Sequence, residues 1–235
     1  GTGSWAELID PQGETIYTAR GPTEHEEIRA HLLAHNPLIH TSAFIRRAAL
    51  EQVGGYQEDL IYAQDYDLWW RLAHVGNLGC IPEVLVYRRR ATPGGIADQH
   101  VQAQATFVCR IARRIVHRQV GLEGAELASY GRLVWSLHGQ PERWQRGDTR
   151  ALRPLWDYLA RRSVYRRVWG PLVTRLARRV VAHQPREGLR LAWVALRDLR
   201  WPEGSLQFLR AWGRLYAPGF AVHTYRSLRR ALTGY

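Results

Sequence analysis

An α/β layer followed by a mainly helical region is the fold class this sequence predicts. Three observations carry it. Strand-like and helix-like hydrophobic patterns alternate through residues 1–100, the spacing settles to a helical period beyond residue 100, and the charge balance reverses at the same point. Of the 235 residues 46% are hydrophobic, enough to bury a substantial core and too many for a disordered tail. The domain reading is therefore 1–100, α/β, and 101–235, basic and helical.

Taken in order, "SWAELIDPQGETIYTA" alternates apolar and polar residues around Pro11-Gln12-Gly13, the pattern of a hairpin. Thr23 to His35 predicts a short helix, with Thr23 as its cap, Glu26 three residues on as the matching acid and Pro37 as its stop. Leu38 to Ile45, "LIHTSAFI", has the length and composition of a strand. "RRAALEQV" predicts a helix stopped by Gly54-Gly55. From Asp65, as cap, the apolar positions Leu68, Trp69, Leu72, Ala73 and Val75 share one helical face, closed by Gly76-Asn77. "GCIPEVLVYRRR" then reads as a buried strand ending in arginines.

Beyond residue 100 the device is an apolar stripe set against arginine. Phe107, Val108, Ile111 and Ile115 form one side of a helix, and Arg110, Arg113, Arg114 and Arg118 cover the other. "PLVTRLARRVV" and "LRLAWVALRDLRW" repeat it, and Gly139-Gln140-Pro141, Gly170-Pro171 and Pro202 punctuate the helices. No fixed-period repeat occurs, which argues against a solenoid. All basic side chains are arginine: 8 face 13 acids in residues 1–100, and 25 face 8 in residues 101–235. The acidic first part suits small polar molecules or a metal, and the basic second part suits phosphates. Cys80 and Cys109 form neither a disulfide framework nor a zinc motif, which fits a reducing cytosol. No zinc finger, RNA-binding aromatic motif or helix-turn-helix is present, so nucleic acid is not an expected partner.

"YAQDYDLWWRL" holds the candidate chemistry. Asp65-Tyr66-Asp67 has three readings: a helix cap with a first-turn acid, a catalytic base, or a metal clamp. The clamp is the weakest, because such pairs sit on a loop after a buried strand and "GYQEDLIYAQ" is not one. His40 divides between a core histidine and a ligand contact. Trp69 and Trp70 are adjacent on a helix and must face partly different ways, and Trp69 reads as core.

"NPLIHTSAFIRRAALEQVGGYQEDLIYAQDYDLWWRLAHVG" resembles the acceptor-side half of family 2 glycosyltransferases of the GT-A fold. The matching pieces are Asn36-Pro37 with His40 and Ser42, Arg46-Arg47, Gly54-Gly55-Tyr56, and Asp65-Tyr66-Asp67-Leu68-Trp69 with Arg71; "PEVLVYRRR" resembles the strand that follows. The resemblance implies a partial GT-A, Rossmann-like domain in which Asp65 is the base of an inverting transfer from a nucleotide sugar to a hydroxyl of a glycan or lipid-linked acceptor. It implies acceptor or diphosphate contacts from Asn36, His40, Asp67, Trp70, Arg71, Arg88 and Arg90, although Asp67 also reads as structural. Where the family commonly has a histidine after Tyr-Arg, this chain has Arg89-Arg90, so Arg88 or Arg90 is expected to meet the phosphates directly. A divalent metal, magnesium or manganese, is expected for the complete enzyme. Its ligands belong to a donor-binding half that the resemblance sets before Gly1, so the chain is expected to be an incomplete transferase with no metal ligands of its own. Surface polysaccharide or glycolipid synthesis, a cytoplasmic location and peripheral contact with anionic lipid through the arginine helices complete the expectation. The rival is a non-catalytic transferase remnant serving as a membrane- or partner-binding module.

Overall fold

The hairpin forms where the alternation predicts it. Strand β1 (Thr2–Ile9) pairs antiparallel with β2 (Thr15–Ala19). Asp10 closes the turn: its Oδ1 accepts the amides of Gln12 and Glu14, each at 2.9 Å, while Gly13 takes φ +96°. β3 (Gly79–Arg89) pairs parallel on the other side of β1, giving a mixed sheet of order β2-β1-β3. Within β1 the alternate residues Ser4, Ala6 and Leu8 are buried, so one face of the sheet points at the core.

Helices fill the crossover between β2 and β3: α1 (His25–His31), α2 (Arg47–Gln52) and α3 (Gln64–Val75), with α4 (Val101–Val120) after the sheet. The core joins Ile28, Leu32 and Leu33 to Tyr66, Leu68, Trp69 and Leu72, while α4 buries Ile111, Ala112, Ile115 and Val116. The Tyr66 hydroxyl donates to the Leu32 carbonyl at 2.8 Å, tying α3 to a carbonyl at the end of α1.

The computed structural model describes residues 1–89 and 100–201, and it divides into two compact units at Gly121/Leu122. The division falls after α4, later than residue 100. The apolar stripe of α4 is buried, and Arg114 and Arg110 pair with Asp67 and Asp59, so this helix belongs to the first unit despite its basic composition. Arg90 and Pro202 lie outside the described residues.

The second unit is helical: α5 (Gly124–Leu137), α6 (Asp148–Ala151), α7 (Arg153–Ala160), α8 (Ser163–Val180) and α9 (Pro185–Trp193), continued by a π-helical turn at Val194–Asp198. Trp144, Trp156 and Trp169 are fully buried in it. Two buried acids are satisfied internally. Asp148 accepts from the Ser129 hydroxyl at 2.8 Å, the Arg132 guanidinium and the Gln145 amide, while Glu187 accepts the Thr149 hydroxyl at 2.8 Å and pairs with Arg190. Those hydrogen bonds outweigh desolvation and hold the Glu187 carboxyl below the usual range.

Five local expectations are corrected. Residues 38–45 are not a strand: His40–Ser42 is a 3₁₀ turn, followed by a single bridge between Thr2 and Phe44. Side chains take the backbone groups a ladder would need, since Asn36 Oδ1 accepts the Leu38 amide at 3.0 Å and Ser42 Oγ donates to the Ile39 carbonyl at 2.8 Å. Thr23 is not the cap of α1. Glu24 holds that position without a side-chain bond, and the Thr23 carbonyl accepts the amide of Cys80. Asp65 is not the cap of α3, because Ala63, in the left-handed region at φ 54°, starts the helix two residues earlier. β3 is exposed rather than buried, since it pairs only with β1 among the described residues and Leu85 and Tyr87 face out. Gly170-Pro171 interrupts nothing. α8 runs through the pair, with the Thr174 hydroxyl on the Gly170 carbonyl at 2.9 Å, and glycine is needed there because a Cβ would lie 2.5 Å from Trp201.

Candidate functional site

A cavity of about 610 Å³ opens in the first unit. Its walls come from the core-side face of the sheet, through Leu8, Tyr17 and Arg88, from the loop after α1, through Asn36, from the 3₁₀ turn, through His40, and from the first turn of α3, through Asp65. Four of the predicted site residues, Asn36, His40, Asp65 and Arg88, thus meet in one place although they lie up to 52 positions apart. Register explains Arg88. It lies opposite Leu8, and Leu8 opposite Tyr17, so all three share one face of the sheet.

Asp65 is held on both oxygens. Oδ1 accepts the Tyr66 amide at 3.0 Å, which it shares with the Ala63 carbonyl, and Oδ2 accepts Asn36 Nδ2 at 2.8 Å. The Asn36 amide is itself oriented, because its Oδ1 is taken by the Leu38 amide. A carboxylate oxygen has two lone-pair directions, so Asp65 is fixed in orientation and still able to accept a proton from a bound hydroxyl. Beside it, Ala63 holds a left-handed backbone that a non-glycine residue adopts only at a cost of roughly 1–2 kcal/mol.

Three further contributors were not picked out as site residues. Tyr56 donates or accepts a hydrogen bond with His40 Nε2 at 3.0 Å. Burial, and then the negative charge of Asp65, pushes its phenol above the ordinary value, so Tyr56 keeps its proton. The position follows Gly54 and Gly55, both in the left-handed region at φ 75° and 66°, and two adjacent glycines before an aromatic were the available signal. Gln104 and Val108 of α4 also line the cavity. Nothing in their local pattern marks them, since they sit in a stretch that reads as basic amphipathic helix.

The other predicted residues lie elsewhere. Asp67 is 4% exposed and receives Arg71 Nε at 2.7 Å and Arg114, so it is an internal ion-pair centre and not a ligand contact. Residues two apart on a helix point to different sides, which separates Asp67 from Asp65. Trp70 is buried at 6% exposure, edge-on to His74 at 4.5 Å, and is no open stacking platform. With Arg71 it lines a separate cavity of about 350 Å³. Arg90 is outside the described residues.

No group of three or more His, Cys, Asp or Glu side chains able to hold a metal ion occurs among the described residues. The donors in the cavity do not by themselves fit a divalent ion. Among the described residues no helix is long and apolar enough to cross a membrane. In the second unit α8 turns Val168, Trp169, Val173, Leu176 and Ala177 inward and Arg167, Arg175, Arg178 and Arg179 outward. Its apolar side is therefore occupied by the unit's own core, and a lipid surface would meet arginine alone.

Comparison with known proteins found no matching family model, no matching curated protein and no matching solved structure.

Proposed function

We propose that the first unit is the acceptor-side part of a GT-A, family 2-like glycosyltransferase. It acts with a donor-binding half to move a sugar from a nucleotide sugar to a hydroxyl of a glycan or lipid-linked acceptor, with inversion, in surface polysaccharide or glycolipid synthesis. One observation carries the reading: Asp65 lines a cavity with Asn36, His40 and Arg88, whereas Asp67, two residues on, is consumed by Arg71 and Arg114. An inverting transfer needs one available carboxylate, and that is what the cavity contains.

In this mechanism the acceptor hydroxyl bonds to Asp65. As its oxygen attacks the anomeric carbon, the proton passes to the carboxylate and the nucleoside diphosphate leaves from the opposite face with the bonding electrons. Asn36 keeps the carboxylate aimed, and Arg88 supplies positive charge to phosphate oxygens. The strained Ala63 turn and the Tyr56–His40 contact hold the rim.

The test is acceptor binding, which requires no donor. Oligosaccharide and prenyl-glycoside acceptors are titrated into the chain while the amide resonances of residues 36–41 and 61–66 are followed by NMR. Shifts confined to those segments, lost in Asn36→Leu, support the reading. Acceptors that leave them unmoved while nucleotide sugars bind tightly would refute it.

A further inference from the structure

The smaller cavity, about 350 Å³, is lined by Val53, Trp70, Arg71, His74, Arg118 and Gln119. We propose that it is a binding site for a phosphate group, separate from the Asp65 cavity and independent of the transferase reading.

Arg71 is held rigidly at the cavity wall. Its Nε donates to Asp67 at 2.7 Å and its Nη1 to the Val53 carbonyl at 2.6 Å, which locks the plane of the guanidinium. Its Nη2 is buried and has no partner. A guanidinium nitrogen withdrawn from water without an acceptor is costly, so the Arg71 charge at the cavity wall is incompletely compensated. Charge points the same way. The single carboxylate of Asp67 is divided between Arg71 and Arg114, and Arg118, exposed in the last turn of α4, adds a further positive charge at the cavity wall.

His74 narrows the chemistry. Its Nδ1 lies 2.8 Å from the Trp70 carbonyl; a carbonyl only accepts, so Nδ1 carries the proton. In the neutral ring the other nitrogen, Nε2, is an acceptor. A wall that combines guanidinium donors with an imidazole acceptor matches a hydrogen phosphate, which offers oxygens to the arginines and one O–H to the histidine. Trp70 and Val53 supply the apolar part of the cavity wall.

The phosphate could be that of a soluble ester or of a lipid headgroup, and two arms separate these sources. In the first, inorganic phosphate is titrated into the full chain by calorimetry at fixed ionic strength, with chloride as the control and the Trp70 and His74 ring resonances as the local readout. In the second, vesicles of phosphatidate in phosphatidylcholine are sedimented with the chain. Arg118→Gln is the principal variant, since Arg118 is exposed and Arg71 holds the Asp67 ion pair; Arg175→Gln, exposed on α8, is the charge-matched control. Saturable phosphate binding that moves those resonances and weakens about tenfold in Arg118→Gln, but not in Arg175→Gln, supports a soluble ligand. Sedimentation with the same dependence on Arg118, without binding of free phosphate, supports a lipid headgroup. Absence of saturable binding in both arms, or equal losses in the two variants, overturns the proposal.

Discussion

Asp65 and Asp67 differ in what surrounds them, and that difference predicts two different mutant phenotypes. Asp67→Asn strips one charge from a buried centre shared by Arg71 and Arg114, leaving guanidinium groups without their counter-charge. A loss of about 2–4 kcal/mol in urea unfolding is expected, discounted because Arg114 is partly exposed. Asp65→Asn can keep the amide contact of the first helical turn but turns a donor towards Asn36 Nδ2, so a smaller loss of about 1 kcal/mol is expected. His31 gives the residue-scale pH dependence. Burial lowers its imidazole from 6.5 to about 4, and its Nδ1 has no partner, so the folded protein holds it neutral where the unfolded chain binds a proton. Stability is therefore complete above pH 6.5 and falls as the pH drops toward 4, by up to about 3 kcal/mol. Replacement by Leu should flatten that part of the profile, and an unchanged slope would remove His31 as its cause.

At the scale of elements, glycine positions separate packing from conformation. At Gly188 in α9 a Cβ would come within 2.7 Å of the Val181 backbone, so Gly188→Ala must push α9 from the end of α8 and cost about 1–3 kcal/mol. Gly76→Ala ends α3 with an extended φ of −178° and open space around the new methyl group, so thermal unfolding should shift little. The same scale shows what the sequence carries. The hairpin was legible because alternation and turn residues agree locally, and α3 because its apolar positions recur on one face. The 3₁₀ turn at His40 was not, because Asn36 and Ser42 redirect backbone bonds through side chains whose targets appear only in three dimensions. α8 was misread at Pro171 because Gly170 serves Trp201 rather than a helix end. Of the site, Asp65, Asn36, His40 and Arg88 were legible through the resemblance, while Tyr56, Gln104 and Val108 depend on a long-range packing that no local period encodes.

For the whole molecule the governing feature is the excess of arginine, a formal charge of +12. The apolar sides of α4 and α8 are buried in their own units, so through these two helices an anionic surface would be met by charge and not by insertion. Binding to phosphatidylglycerol vesicles should accordingly fall away as salt shortens the screening length to about 10 Å near 0.1 M, with helical circular dichroism unchanged on binding. Salt-independent binding, or equal binding to neutral vesicles, would mean that apolar faces open.

Whether Asp65 is the proton acceptor of a sugar transfer is decided by steady-state kinetics of Asp65→Asn, with the donor-binding half supplied. A loss of about 10²- to 10⁴-fold in kcat with donor affinity unchanged is the predicted result. Turnover equal to wild type in a folded Asp65→Asn protein would contradict it.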